Sequence, residues 1–346
     1  MTATTANVGL VPTLPARIPL AQLPTPLERL DRLSAAWGGA TNDGPTIWVK
    51  RDDLTGFELS GNKVRKLEFH LAAAIADGAD TVITCGAAQS NHCRATALAA
   101  ARVGLRSVLV IRTADGGPAP TTGNHLLHHL AGTEIVTITP EAYSERTAVM
   151  RAIAADQAER EHRAWIIPEG ASDALGMWGF VLAMRELAVQ FDAAGMTSPP
   201  TIWHAASSGG TTAGMAWAVD RLKLGTPIVA SSVGDSAGEL RARVEAIWDE
   251  ALQTFGGEPP DPAPLEVIDT YVGGGYGMVS PDELAVQLEV TQATGLLFDP
   301  TYTGKALYGL RREIAAGRWS ANDHVVFWHT GGGFAVFAHD YGAALA

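Results

Sequence analysis

Residues 81–111 read TVITCGAAQSNHCRATALAAARVGLRSVLVI. The apolar run Thr81-Val82-Ile83-Thr84 leads into a polar turn, an alanine-rich helical stretch at 95–101 and a second apolar run at 107–111. Continuous apolar strands are buried on both faces, and strands of that kind divided by a helix form a parallel sheet covered on both sides. The alternation continues outward. Strands are predicted at 135–138 and 165–167, with helices at 124–130 and 148–160 between them. A second series places strands at 201–203, 228–230, 267–268 and 325–327. Its helices begin near Thr212, near Gly238 and at the capping box Ser280-Pro281-Asp282-Glu283. Toward the N-terminus, 46–49 reads as a strand after the Asn42-Asp43-Gly44 turn. Thr25-Pro26-Leu27-Glu28 is expected to cap a first helix carrying Leu30, Leu33 and Trp37. The expected fold class is α/β, two doubly wound domains with mostly parallel sheets and a ligand cleft between their strand ends.

Composition narrows the function. A chain of 346 residues is long enough for two domains. With 47% hydrophobic and 18% charged residues it belongs among folded proteins. A net charge of -12 argues against nucleic acid or an anionic membrane as partner. Two cysteines, Cys85 and Cys93, suit a reducing cytosol and rule out a disulfide framework. No signal-like start occurs, and the longest alanine-rich stretches fall far short of a membrane span. These features place the chain as a cytoplasmic enzyme. The histidines, including His125, His128 and His129, lack metal-ligand spacing, so no metal is expected.

Three loops carry the chemistry. In Ser60-Gly61-Asn62-Lys63-Val64-Arg65-Lys66-Leu67 a lysine follows a tight turn and opens an amphipathic helix. The positive helix end and the apolar flank both disfavour the ammonium and leave a nucleophilic amine. Arg65 and Lys66 read as surface or phosphate-adjacent charges. In Gln89-Ser90-Asn91-His92, free backbone N–H groups at a helix start suit a substrate carboxylate, with Ser90 a proton-transfer group. A plain helix cap at Ser90 or Asn91 fits that turn equally well. Cys93, one step into the helix, reads as a small buried residue. In Ser207-Ser208-Gly209-Gly210-Thr211-Thr212-Ala213-Gly214, glycines and hydroxyls before a helix form a phosphate cradle without the Walker ending. An amine, a hydroxyl-amide turn and a phosphate cradle together point to pyridoxal phosphate. Further on, Tyr276 and Tyr302 lie in glycine-rich loops where a pocket role is favoured over a core one. Lys305 and His329 read at least as readily as structural.

These loops, in this order, resemble the 1-aminocyclopropane-1-carboxylate deaminase and D-cysteine desulfhydrase family of fold-type II pyridoxal-phosphate enzymes. The most specific segments are Lys50-Arg51-Asp52-Asp53, Gly61 to Glu68, Gln89-Ser90-Asn91-His92 and Asp299-Pro300-Thr301-Tyr302-Thr303-Gly304-Lys305. The resemblance implies that Lys63 joins covalently to the cofactor aldehyde, and that Asn62, Ser207, Ser208, Gly209, Gly210, Thr211, Thr303 and Thr330 bind the cofactor. It implies substrate binding by Ser90, Asn91, His92 and Tyr276, with Lys63, Ser90, Tyr276 and Tyr302 as the catalytic set. It also implies a homodimer, a larger cofactor-binding domain of residues 1–65 plus 175–346, and a smaller inserted domain of residues 66–174. Thr303 stands where the deaminases carry a glutamate, and His92 where they carry glutamine. A threonine cannot hold the pyridine nitrogen protonated, which weakens the electron sink that opening a cyclopropane ring demands. The expected reaction is therefore α,β-elimination on a small β-substituted amino acid, foremost D-cysteine to pyruvate, ammonia and hydrogen sulfide. The cyclopropane deaminase, an L-cysteate sulfo-lyase and a non-catalytic cofactor carrier are the alternatives. Ser60, Cys93, the segment 169–173 and Gly275-Tyr276-Gly277-Met278 depart from the usual pattern, and they leave the substrate open.

Overall fold

The computed structural model describes residues 14–38 and 43–338, so Asn42 of the expected turn lies outside the described residues. The first elements are β1 (Leu27–Arg29), α1 (Asp31–Trp37), β2 (Thr46–Arg51) and α2 (Lys63–Ala76). A run of alternating elements follows: β3 (Thr81–Ala87), α3 (Asn91–Arg102), β4 (Arg106–Arg112), α4 (Gly123–Leu130) and β5 (Glu134–Ile138). Then come α5 (Pro140–Ser144), α6 (Arg146–Glu159), β6 (Ala164–Ile166) and α7 (Trp178–Ala193). The last part holds β7 (Thr201–Ala206), α8 (Gly210–Arg221), β8 (Ile228–Ser232), α9 (Ala237–Phe255) and β9 (Leu265–Ile268). It closes with α10 (Pro281–Thr294), α11 (Thr303–Ala315), β10 (His324–His329) and α12 (Gly333–Val336).

The strands form two sheets. A four-stranded sheet in the order β5-β4-β3-β6 is parallel throughout. A six-stranded sheet in the order β1-β2-β10-β7-β8-β9 is parallel except for β1, which runs antiparallel on β2. The first sheet comes from the middle of the chain and the second from the segments on either side. Central strands such as β4 and β8 are buried along nearly their whole length, as their unbroken apolar runs require.

Two expectations are corrected. Thr25 does not cap a helix: Leu27–Arg29 pairs with β2, and α1 starts at Asp31 with no side-chain cap. Edge pairing along β2 outweighs the local capping signal, and the Thr25 hydroxyl donates instead to Asp52 at 2.9 Å. Arg65 is not a surface charge. It is buried, donating to both Asp52 oxygens at 2.8 and 2.9 Å and to both Glu186 oxygens at 3.0 Å. Lys50 donates to the same Glu186 at 2.5 Å, and the Trp328 indole donates to Asp52 at 2.8 Å. Burial opposes the charge on Arg65, yet Asp52 and Glu186 outweigh it and hold the guanidinium firmly protonated.

This cluster ties α2 to β2, β10 and α7. Helix α7 was not expected, because it buries Trp178, Phe180, Val181, Met184 and Leu187 against several neighbours and shows no single apolar face. It crosses α2 at Gly179, where an added Cβ would lie 2.5 Å from the Arg65 carbonyl carbon and oxygen. Gly179→Ala is therefore expected to lower stability by about 1–3 kcal/mol through overpacking. Urea unfolding with an unchanged slope and a lower midpoint is the expected result; an unshifted midpoint contradicts the close crossing.

Candidate active site

The turn before α2 is fixed on both sides. The Gly61 N–H donates to the Asp52 carbonyl at 3.0 Å and to the Thr55 hydroxyl at 2.9 Å, while the Asn62 N–H donates to the Thr330 carbonyl at 3.0 Å. Gly61 has φ +110°, and a Cβ there would stand 2.8 Å from that Thr330 oxygen, so no larger residue fits the turn. Lys63 follows as the first residue of α2 and lines a partly enclosed cavity that opens to solvent. Burial lowers its amine to about 8, against weaker opposing attractions from Glu169 and Cys93. The Lys63 amine makes no hydrogen bond to any described residue.

At the second turn, Ser90 is the N-cap of α3, its hydroxyl oxygen accepting the Cys93 N–H at 3.1 Å. The cap leaves the Ser90 proton free, so the structural and chemical uses of this hydroxyl coexist. Asn91 accepts from the Asn124 amide at 2.9 Å. His92 is buried, with Nε2 2.8 Å from the Thr84 hydroxyl, and that hydroxyl donates its single proton to the Ile167 carbonyl at 2.8 Å. Nε2 must then carry the imidazole proton, which leaves buried Nδ1 bare and without a hydrogen-bond partner among the described residues. Burial, then the Lys63 and Lys66 amines, hold the ring neutral. His92 is thus no cationic anchor, and a carboxylate at this turn would meet the free N–H groups of the α3 start.

The third loop enters α8 through Gly209 at φ +87°. A Cβ at Gly210 would lie 2.8 Å from Ser172 Cα and 2.9 Å from Lys66 Nζ, so the backbone here approaches its neighbours as closely as glycine allows. Ser208 shares a 2.7 Å hydrogen bond with Ser172, and Asn62 donates to Thr211 at 3.1 Å. Lys66 is buried, donating to the Gly170 carbonyl at 3.2 Å and Ser172 at 3.1 Å, with its charge disfavoured first by burial and then by Lys63. Among the described residues no carboxylate lies within ion-pair distance of it, and Asp173 opposes the loss of its charge only from further off. A phosphate at the α8 start would neutralise Lys66 and use the free N–H groups of the first turn.

Tyr276 and Tyr302 line the same cavity, with hydroxyls 2.5 Å apart. Burial raises both: Tyr276 to about 12 and Tyr302 further. Both hydroxyls keep their protons, and either can donate to the other, which leaves one proton of the pair for a ligand. The Tyr276 loop is held by Lys305, which donates to the Val272 and Gly275 carbonyls at 2.6 and 2.9 Å. His329 is structural: it stacks on Phe298 and contacts the Leu297 carbonyl at 2.8 Å. Both cysteines are buried, and desolvation raises their thiols.

The threonines divide. Thr330 lines the cavity. The Thr303 hydroxyl donates to Asp299 Oδ1 at 2.7 Å and accepts the Asp299 N–H at 2.9 Å, closing the turn that starts α11, and Thr303 is not among the residues lining the cavity. Glu169, in the segment 169–173 that departs from the usual pattern, also lines the cavity; it accepts from Tyr143 at 2.7 Å and pairs with Arg146 at 3.1 Å. Sequence reasoning missed Asn124, which braces Gln89 and Asn91 from the far side of the turn. Asn124 has no local motif; only the tertiary contact reveals it. Among the described residues no group of potential ligands could hold a metal ion.

Because its pKa is lowered, Lys63 is protonated below about pH 8 and neutral above it. In cofactor-free protein its labelling by trinitrobenzenesulfonate, followed by peptide mapping, is expected to rise through pH about 8, well before exposed lysines. A profile still rising near the ordinary value of 10.5 contradicts the buried setting.

The sequence profile of the pyridoxal-phosphate dependent enzyme family matches residues 18–331. A relative from Thermotoga maritima named putative 1-aminocyclopropane-1-carboxylate deaminase is 36% identical over 327 residues, 93% of this chain and 98% of the relative. D-cysteine desulfhydrase of Yersinia pestis is 36% identical over 326 residues, 93% of this chain and 96% of the relative. A crystal structure of an ACC deaminase homologue superposes with a TM-score of 0.84 at 32% identity, covering 96% of this chain and 95% of that one. A fungal L-serine ammonia-lyase from Rhizomucor miehei shares the fold at 16% identity and a TM-score of 0.64, over 90% of this chain and 94% of that one. The lone lysine amine, the unneutralised Lys66 beside a glycine cradle and the α8 dipole fit an aldehyde bearing a phosphate. This chain belongs to the pyridoxal-phosphate dependent enzyme family, in its fold-type II branch, and its cofactor is pyridoxal phosphate.

Proposed function

We propose that the protein is a lyase that eliminates the β-substituent of a small amino acid, foremost D-cysteine, releasing pyruvate, ammonia and hydrogen sulfide. The observation that carries this reading is the meeting of the Lys63 amine, the α3 start at Ser90 and the Tyr276–Tyr302 pair in one cavity. Bound pyridoxal phosphate supplies the electron sink for the α-carbon. Lys63 Nζ, neutral in an appreciable fraction near neutrality, accepts the α-proton. The N–H groups at the α3 start and the Ser90 hydroxyl orient the substrate carboxylate. Tyr276 Oη, still protonated because burial raises it, donates to the departing group. Ser207, Ser208, Gly209, Gly210, Thr211 and Lys66 hold the phosphate, and Asn62 and Thr330 border the ring.

Elimination is favoured over ring opening because, among the described residues, the carboxylate lining the cavity is Glu169, which is engaged by Tyr143 and Arg146, and Thr303 supplies no charge. A non-catalytic carrier would need the cradle but not the paired tyrosines. The two sheets support a division into a larger domain, 1–65 plus 175–346, and a smaller one, 66–174. A cytoplasmic homodimer accords with the composition and the family. Among the described residues no helix is long and apolar enough to cross a membrane.

A panel of D-cysteine, L-cysteine, L-cysteate and 1-aminocyclopropane-1-carboxylate, scored for pyruvate, sulfide, sulfite and 2-oxobutyrate, tests this proposal. Pyruvate with sulfide from D-cysteine, abolished by Lys63→Ala, is expected. Turnover of the cyclopropane substrate alone overturns the use made of Thr303, and no turnover of any substrate favours the carrier.

A further inference from the structure

One side chain of α4 braces the turn that opens α3. Asn124, the second residue of α4, is fully buried. Its Nδ2 donates to the Gln89 carbonyl at 2.9 Å and to Asn91 Oδ1 at 2.9 Å. Its backbone N–H donates to Gln89 Oε1 at 2.9 Å, and Gln89 Nε2 donates to the Thr122 carbonyl at 3.0 Å. Backbone groups fix the sense of every amide in this network. A main-chain carbonyl can only accept, so Asn124 must turn its NH2 toward Gln89, and Thr122 sets the Gln89 amide in the same way. Asn124 then meets Asn91 as a donor, and Asn91 must answer with its oxygen. The NH2 of Asn91 is left over: it has no hydrogen-bond partner among the described residues, and Asn91 lines the Lys63 cavity. The arrangement carries a penalty, because buried Asn124 Oδ1 finds no hydrogen-bond partner among the described residues.

We propose that Asn124 is a positioning residue for the substrate: it holds the Asn91 amide with its NH2 toward the cavity, where that group donates to the substrate α-carboxylate. The inference rests on the reading that an amino acid binds with its carboxylate at the α3 start. With the Asn91 amide turned over, its oxygen would face the carboxylate, and an attraction would become a repulsion. The two ends of an asparagine amide have nearly the same shape, so packing does not choose between them; a hydrogen bond of fixed sense does. Asn124 supplies that bond from a neighbouring helix without touching the substrate.

The test uses the holoenzyme, with alanine and ethylamine as ligands and the change in cofactor absorbance as the readout of binding. Both ligands carry a primary amine, only alanine carries a carboxylate, and neither has a β-leaving group. Asn91→Asp exchanges the presented NH2 for an oxygen while keeping an acceptor for Asn124. It is expected to weaken the alanine enantiomer that wild type prefers by roughly tenfold or more, without weakening ethylamine. Asn124→Ala frees the Asn91 amide to turn, and is expected to weaken that alanine roughly fivefold while leaving ethylamine within about twofold. Asn124→Asp, isosteric with the native residue, acts in the same sense by drawing the Asn91 NH2 away from the cavity, and replaces Asn124→Ala if that variant does not fold. In an Asn91→Ala background, where no amide remains to be held, either change at Asn124 should alter alanine binding by less than about twofold. Equal losses for alanine and ethylamine on changing Asn124, or a loss that persists in the Asn91→Ala background, overturn the proposal. So does an Asn91→Asp variant that binds alanine as wild type does, or a wild type that binds neither alanine enantiomer more tightly than ethylamine. Should no β-substituted amino acid release pyruvate, the elimination reading falls, while the comparison of alanine with ethylamine still decides the role of Asn124.

Discussion

The position of the Lys63 amine depends on the buried ion cluster two residues further along α2. Arg65 reaches Asp52 after β2 and Glu186 on α7, and the Trp328 indole closes on the same Asp52. Removing one partner from such a cluster leaves a charge buried and uncompensated, typically at a cost of about 3–5 kcal/mol. The start of α2 is therefore locked to two neighbouring strands of the large sheet, β2 and β10, and the Gly61 turn has no room to shift against Thr330. A nucleophile at a helix start is useful only when that start is rigid, and here rigidity comes from charges that never meet the substrate.

The same burial sets the protonation of the site. It lowers Lys63, keeps His92 neutral and raises Tyr276 and Tyr302, so the cavity holds a ready base and a pair of retained acids. Pushing the pKa values of neighbouring groups in opposite directions is how one pocket supplies both halves of an elimination near neutral pH. The bare Nδ1 of His92, without a partner among the described residues, is an orphan of the kind that a ligand resolves.

Much of this was legible in the sequence because the relevant signals are local. The apolar runs of β3, β4, β7 and β8 and the glycines around Lys63 and Gly210 each state their conformation within a few residues. What the sequence hid is non-local. The Thr25 box reads as a helix cap until β2 is known to lie beside it. Arg65 reads as a surface charge until Glu186, far along the chain, arrives to pair with it. Thr303 matches a family position by resemblance, yet its hydroxyl donates to Asp299, while Thr330 lines the cavity.

Borohydride reduction of the cofactor-loaded protein, followed by peptide mapping, bears most directly on the central claim. The reduced pyridoxyl group is expected on the peptide containing Lys63. Finding it on Lys66, on another side chain or on none would contradict the account.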